Sequence, residues 1–354
     1  MQENKFGVKD NKALRVLHGT IEIANQMHTI TAGLKKLGTN AKTLNYYPSY
    51  LDYESDYTFN INSFKSMREA NIEIKKLALK MIIDNDIFHF HFGTSLTLDY
   101  WDLHILKELD KKIIMHHWGS DVRRLSIAEK INPNVQVKNL DEDGIKRKLT
   151  YLSKYVDCCI VADQELYCYV KDFYKKVVLI PQAIDTDKYK KTNSDINKNE
   201  RLLIVHAPTN RQGKGSRFII DAVENLKNKY DFDFKLVENL SHEEAKKIYE
   251  QADLVIDQVL SAGHGLFALE CMAMGKPVIC SISDFMKDYY PKELPIISAR
   301  HDELEAKLEY ILNNKEILQS IGDKGREYVL KYHDYLLVSK RVLDLYEGSE
   351  NNAI

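Results

Sequence analysis

The chain has 354 residues, 44% apolar and 29% charged, enough for about two globular domains with full cores. A net charge of -2 leaves no basic field for nucleic acid. The polar start, 1–11, lacks the apolar stretch of an export signal, and no apolar run reaches membrane-spanning length, so the expected location is the cytoplasm.

Short apolar strands alternate with amphipathic helices. A strand over 13–17 precedes a loop and a helix near 29–37. A helical pattern over 74–83 leads to a strand over 87–92. Leu103, Leu106 and Leu109 recur at helical spacing before a strand over 113–116. Strands over 158–161 and 177–180 complete a first set, so 1–189 reads as one domain. Residues 190–200 are polar and without period, which reads as a linker.

A second alternation fills 201–331. Strands are expected over 202–205, 234–237, 254–256 and 278–280, and helices over 216–230, 241–251 and 267–274. Ser241 and Glu244 form the capping-box pattern that starts one helix, and Gly275 ends another. Leu304, Leu308, Ile311 and Leu312 mark a further helix, and the segment 332–354 carries a last one, over 335–346, expected to pack back on the first domain. Such alternation implies parallel sheets and two doubly wound α/β domains, whose ligands bind outside the carboxyl ends of the strands. Five cysteines, an odd number without Cys-x-x-Cys spacing, sit mostly in apolar runs and fit a reducing compartment.

The most informative stretch is 249–280, YEQADLVIDQVLSAGHGLFALECMAMGKPVIC. A strand ends near Asp257, a loop carries Gly263 and Gly265, and a helix opens at Leu266. Glycines before a helix let backbone approach a ligand, and the helix amides suit a diphosphate. Glu270, one turn further in, is suited to accept hydrogen bonds from ribose hydroxyls. The plainer alternative is a connecting loop and a buried helix. The Gly-Lys-Gly-Ser string at 213–216 is not a phosphate-binding P-loop, because Gly-Lys-[Ser/Thr] and the earlier glycine are missing.

This stretch resembles the donor-site signature of retaining GT-B glycosyltransferases of family 4. The family form is Glu-Gly-Phe-Gly-Leu followed by Leu-Glu-Ala-Met-Ala-x-Gly-x-Pro-Val-Ile, matched at Gly263, Gly265, Leu266, Leu269, Glu270, Met272, Ala273, Gly275, Pro277, Val278 and Ile279. The resemblance implies two Rossmann-like domains facing a cleft, with the donor on the second and the acceptor on the first. It implies that Glu270 holds the nucleotide ribose, while Ala262 stands where the family has a glutamate for the donor sugar and His264 replaces an aromatic ring. Lys214-Gly215 matches the family's Lys-Gly; Thr209 stands at its arginine, with Arg211 two residues on. Lys214 and Arg211 are then expected to neutralise the departing diphosphate. The segment 180–189, with its Pro181 and Asp185, resembles the block that ends the family's first domain.

In the first domain His116-His117 precedes Trp118-Gly119-Ser120-Asp121-Val122-Arg123, which resembles the family's His-Gly-Ser-Asp-Val-Arg segment. By that alignment His117 is the expected catalytic histidine, and Gly19, after the first strand, lies in the loop expected near the donor phosphates. The implied reaction moves a sugar from a nucleoside diphosphate sugar to a glycan, lipid-linked or small-molecule acceptor in polysaccharide or glycoconjugate assembly, with retention and without a required metal or other cofactor. Two alternatives stand beside it. One is a sugar-nucleotide-binding protein without catalysis, motivated by Ala262 and Thr209. The other is a metallohydrolase built on His89, His91, His116 and His117. Asp-x-Asp strings at 141–143, 185–187 and 231–233 read as surface carboxylates. The apolar and lysine-bearing stretch 72–83 is either a packed helix or a face for peripheral contact with the inner side of a membrane.

Overall fold

The computed structural model describes residues 14–48, 53–192 and 201–349. Its first sheet contains β1 (Arg15–Thr20), β2 (Asn40–Asn45), β3 (Tyr57–Thr58), β4 (Ile87–His91), β5 (Lys112–His116), β6 (Cys158–Val161) and β7 (Val177–Leu179), in spatial order β3-β2-β1-β4-β5-β6-β7. Its second contains β8 (Leu202–His206), β9 (Phe232–Leu236), β10 (Leu254–Ile256), β11 (Val278–Cys280) and β12 (Ile297–Ser298), in order β12-β11-β10-β8-β9. All pairings are parallel. Strand order reverses between β1 and β4 and between β8 and β10. Open parallel sheets bind ligands at these reversals.

β1 begins later than the expected 13–17 and runs on through Gly19 and Thr20, because its ladder continues opposite Leu44 and Asn45 of β2. One face of the first sheet, with Leu17, Phe88, Phe90 and Met115, forms a core with helix Met67–Asp84 and its neighbours. The other face, with Val16, Ile87, Ile114 and Cys158, is covered by helices Gln26–Lys36 and Tyr335–Glu347. The latter therefore belongs to the first domain's core although it follows the second domain in sequence. Ser339 donates to the Ile30 carbonyl at 2.9 Å, and Gly33 gives it room, since any side chain there would strike the hydroxyl.

Two strands of backbone cross between the domains side by side. Ile184 N–H donates to His333 O at 2.7 Å and Tyr335 N–H to Ile184 O at 3.0 Å. Of the expected linker 190–200, residues 193–200 lie outside the described residues. The Ser241 capping box is present, with Ser241 N–H on Glu244 Oε2 at 2.9 Å and Glu244 N–H on Ser241 Oγ at 3.3 Å. Among the described residues no helix is long and apolar enough to cross a membrane. Helix Met67–Asp84 buries Ala70, Ile74, Ala78, Met81 and Ile82 and exposes Ile72, Leu79 and Ile83. The five cysteines form no disulfides.

Candidate active-site cleft

The ends of both sheets meet across a cavity of about 240 Å3. From the second domain it is lined by Gly213, Gln258, Gly263, His264, Gly265 and Leu266; from the first, by Ile23, Trp118, Arg123, Asp163 and Glu165, among others.

The second-domain wall is built at the β8/β10 reversal. β10 ends at Ile256, and Asp257, fully buried, accepts the Gly265 N–H on Oδ2 at 3.3 Å and the Lys214 ammonium on Oδ1. One carboxylate thus joins the glycine loop to the lysine expected beside it. Lys214 ends the short helix Arg211–Lys214, capped by Asn210. Gly215 follows with φ of +75°, and a Cβ there would lie 2.6 Å from Val259 Cγ2, so both backbone and space require glycine. Val259 N–H donates to Lys214 O at 3.1 Å and closes the same junction. Helix Leu266–Ala273 has no side-chain cap, so the amides of its first turn remain free for an anion.

Four of the expected site residues, Gly263, His264, Gly265 and Leu266, line the cavity; Gly19, His117, Arg211, Lys214 and Glu270 do not, although Lys214 stands next to Gly265 through Asp257. Glu270 Oε1 accepts from the Tyr189 hydroxyl at 2.8 Å, with His242 Nε2 at 3.6 Å. Arg211 pairs with Glu238 through both forks on the surface. Gly19 is an interior residue of β1, not part of a loop. His117 is 1% exposed, and both ring nitrogens are occupied: Nδ1 meets Asp121 Oδ2 at 2.6 Å and Nε2 the Tyr174 hydroxyl at 2.8 Å. Burial pushes the Asp121 carboxyl up, but His117 and the amides of Gly119 and Trp118 more than offset this and hold it below its usual range. The side chains that reach the cleft from the segment after β5 are Trp118 and Arg123.

Trp118 is held by a chain of histidines. His18, His89, His91 and His116 lie on one sheet face, since β1 places His18 opposite His89 and β5 places His116 opposite His91. Trp118 Nε1–H must donate, and it does so to His91 Nδ1 at 3.0 Å. His91 Nε2–H then donates to His18 Nδ1 (3.0 Å), His18 Nε2–H to the Tyr346 hydroxyl (3.0 Å), Tyr346 to His89 Nδ1 (2.6 Å), and His89 Nε2–H to His116 Nδ1 (3.3 Å). His116 Nε2 ends the chain without a protein partner. All four rings are fully buried, and burial pushes His18 down to about 3 and the others well below their ordinary value, so each is neutral. Nitrogens of His18, His89 and His91 lie within 4.8 Å of one another. His117 is not in the group, and a cluster with no exposed face has no open position at which to present a metal-bound water to a substrate.

Two carboxyls missed in the sequence, Asp163 and Glu165, line the cavity, and a third, Glu22, precedes Ile23 of its lining. Asp163 caps helix Gln164–Val170, with Oδ1 accepting Leu166 N–H at 2.9 Å; burial, then Glu165, pushes it up to about 6. Glu165 is neutralised by Arg123 through two 2.7 Å bonds. Glu22 accepts the Met27 and His28 amides at 3.0 and 2.9 Å, and burial nevertheless raises it to about 7. An Asp directly after a strand and before a helix was the readable signal for Asp163. Of the Asp-x-Asp strings, Asp141 caps helix Glu142–Leu152, Asp187 pairs with Lys36, and Asp231 and Asp233 pair with Arg201.

Residues 209–344 match the family model described as "Glycosyl transferase-like". An uncharacterized glycosyltransferase of Methanocaldococcus jannaschii is 24% identical over 198 residues, 43% of this chain and 55% of the relative, so the match spans about half of that protein's length. Among solved structures, sucrose-phosphate synthase from Thermosynechococcus elongatus superposes with a TM-score of 0.64 at 14% identity, covering 95% of this chain and 99% of that one. Anabaena HepE, solved in complex with UDP-glucose, superposes with a TM-score of 0.63 at 11% identity, covering 95% and 100%. Residues 209–344 are thus glycosyl transferase-like in sequence, and they are carried on a two-domain α/β scaffold that matches GT-B glycosyltransferase structures.

Proposed function

We propose that the protein transfers a sugar from a nucleoside diphosphate donor, with retention and without a bound metal, to an acceptor held between the two domains. The observation that carries this reading is the uncapped start of helix Leu266–Ala273 at the cleft, with the Lys214–Asp257 pair beneath it. A diphosphate laid on those amides competes with Asp257 for the Lys214 ammonium. Charge that grows on the leaving diphosphate is then met by fixed donors, which stabilise it without reorganisation. Glu270, preset by Tyr189, is assigned to the ribose. UDP is the first nucleotide to try, since it occupies the HepE structures, among them one with UDP alone. Titration calorimetry with UDP tests the reading: binding that weakens at least about tenfold in Glu270→Ala supports it, and no UDP, ADP or GDP binding to the wild-type chain refutes it.

A second reading, sugar-nucleotide binding without transfer, is favoured by the fully occupied His117 and the surface-paired Arg211. Donor binding with neither transfer nor hydrolysis over a broad acceptor panel decides for it.

A further inference from the structure

Behind the glycine loop lies a second and larger chamber of about 710 Å3, within the size range of ligand sites. It shares Asp163, Gln182, His264 and Met286 with the cleft, so the two spaces meet at the His264 imidazole. Its walls are aromatic: Tyr289 and Tyr290 follow helix Asp284–Lys287, and Tyr328 and Tyr332 come from helix Ile317–Tyr332.

Three polar atoms are buried there without a protein partner: Nδ1 and Nε2 of His264 and the hydroxyl of Tyr290. The two rings stack at 4.7 Å with 25° between their planes, and His264 is 7% exposed. Leaving such groups unpaired costs free energy that an apolar ring at position 264 would not cost. A neutral imidazole offers one donor and one acceptor on opposite sides, and a phenol beside it offers both. Adjacent hydroxyls satisfy that set. A hydrocarbon chain would leave all three atoms unpaired. Lys292 and Arg341 stand in the same lining, so a sugar that bears an acidic group fits the chamber as well as a neutral one. The tyrosine faces suit the C–H face of a sugar ring.

We propose that this chamber is the acceptor site and takes a glycoside, its ring against the tyrosine wall and adjacent hydroxyls on His264 and Tyr290. The proposal rests on the donor reading above, because His264 stands between Gly263 and Gly265 and so brings an acceptor hydroxyl beside the diphosphate amides. In the transfer, the acceptor oxygen bonds to the anomeric carbon of the donor sugar. The bond from that carbon to the diphosphate breaks, with its electron pair staying on the diphosphate oxygen. The hydroxyl proton passes to that departing oxygen.

The test is titration calorimetry of the full chain with p-nitrophenyl glycosides (glucoside, galactoside, mannoside, N-acetylglucosaminide) and with 1-octanol. At least one glycoside binds and octanol binds more weakly. Tyr290→Phe, which keeps the ring, weakens that glycoside about fivefold, the loss of one hydrogen bond, and leaves UDP binding unchanged. His264→Phe, which keeps the volume, weakens it at least as much. The proposal is overturned if no glycoside binds, if octanol binds as tightly, or if both variants keep wild-type glycoside affinity. Failure of UDP to bind the wild type sinks the donor reading instead, since glycoside binding is titrated separately.

Discussion

Trp118 Nε1–H donates to His91 Nδ1 at 3.0 Å, and this one bond sets the tautomer of every histidine behind it. Because indole nitrogen can only donate, His91, His18, His89 and His116 are each left with the proton on Nε2. Nitrogen-15 spectra of the imidazoles should show four Nε2–H tautomers. Trp118→Phe removes the fixed donor, so the chain can run in either direction and the spectra should show mixed tautomers. The unsatisfied end should cost about 1–3 kcal/mol in urea denaturation.

The same histidines make stability depend on pH. Folded His18 is held down to about 3, and His89, His91 and His116 lie well below their ordinary value. Unfolded histidine titrates at about 6.5. Below that pH the unfolded chain takes up protons that the folded chain refuses. Stability is therefore full above 6.5 and falls by about 1.4 kcal/mol per pH unit for each such histidine as the solution is acidified toward 4. Denaturation midpoints at pH 7.5, 6.0 and 5.0 check this. His116→Phe should flatten the slope by about one histidine's share.

Lys214 and Asp257 set up a third expectation. Asp257 is fully buried, so Lys214→Ala strands a carboxylate and should destabilise the fold by about 3–5 kcal/mol while abolishing tight UDP binding. Adding Asp257→Asn should recover most of the stability and none of the binding. A melt series with parallel UDP titrations separates the two effects.

Gly215 gives the fourth. Its φ of +75° and the 2.6 Å approach of Val259 to a Cβ leave Ala no relaxed position. Gly215→Ala should cost at least about 2 kcal/mol and move Lys214 off Asp257, seen as loss of UDP affinity out of proportion to the loss of melting temperature.

Much of this was legible in the sequence. The alternation of apolar strands and helices carried the two-domain α/β scaffold, and the 249–280 stretch carried the glycine loop and its helix. β2 and β3 escaped because NAKTLN and YT hold too little apolar alternation; their burial comes from the neighbours β1 and β2 rather than from their own pattern. His116 and His117 could not be told apart by spacing: β5 aims His116 at the face of His89 and His91, and the turn that follows sends His117 to Asp121 and Tyr174 and Trp118 to the cleft, so neither imidazole lines the cavity. Arg211 and Glu270 found partners, Glu238 and Tyr189, that no local spacing announces. Asp257 was visible only as a strand end, because its link from Lys214 to Gly265 depends on β8 lying beside β10.

Tyr346 gives the histidine chain a clock. It is translated more than three hundred residues after His18, which at about 5–20 residues per second is roughly 15–65 s. Until then the nascent first domain holds four imidazoles and an apolar sheet face that helix Gln26–Lys36 covers only in part. Its completion waits on synthesis of the whole second domain, and a ribosome stalled in between leaves an open sheet for chaperones to guard.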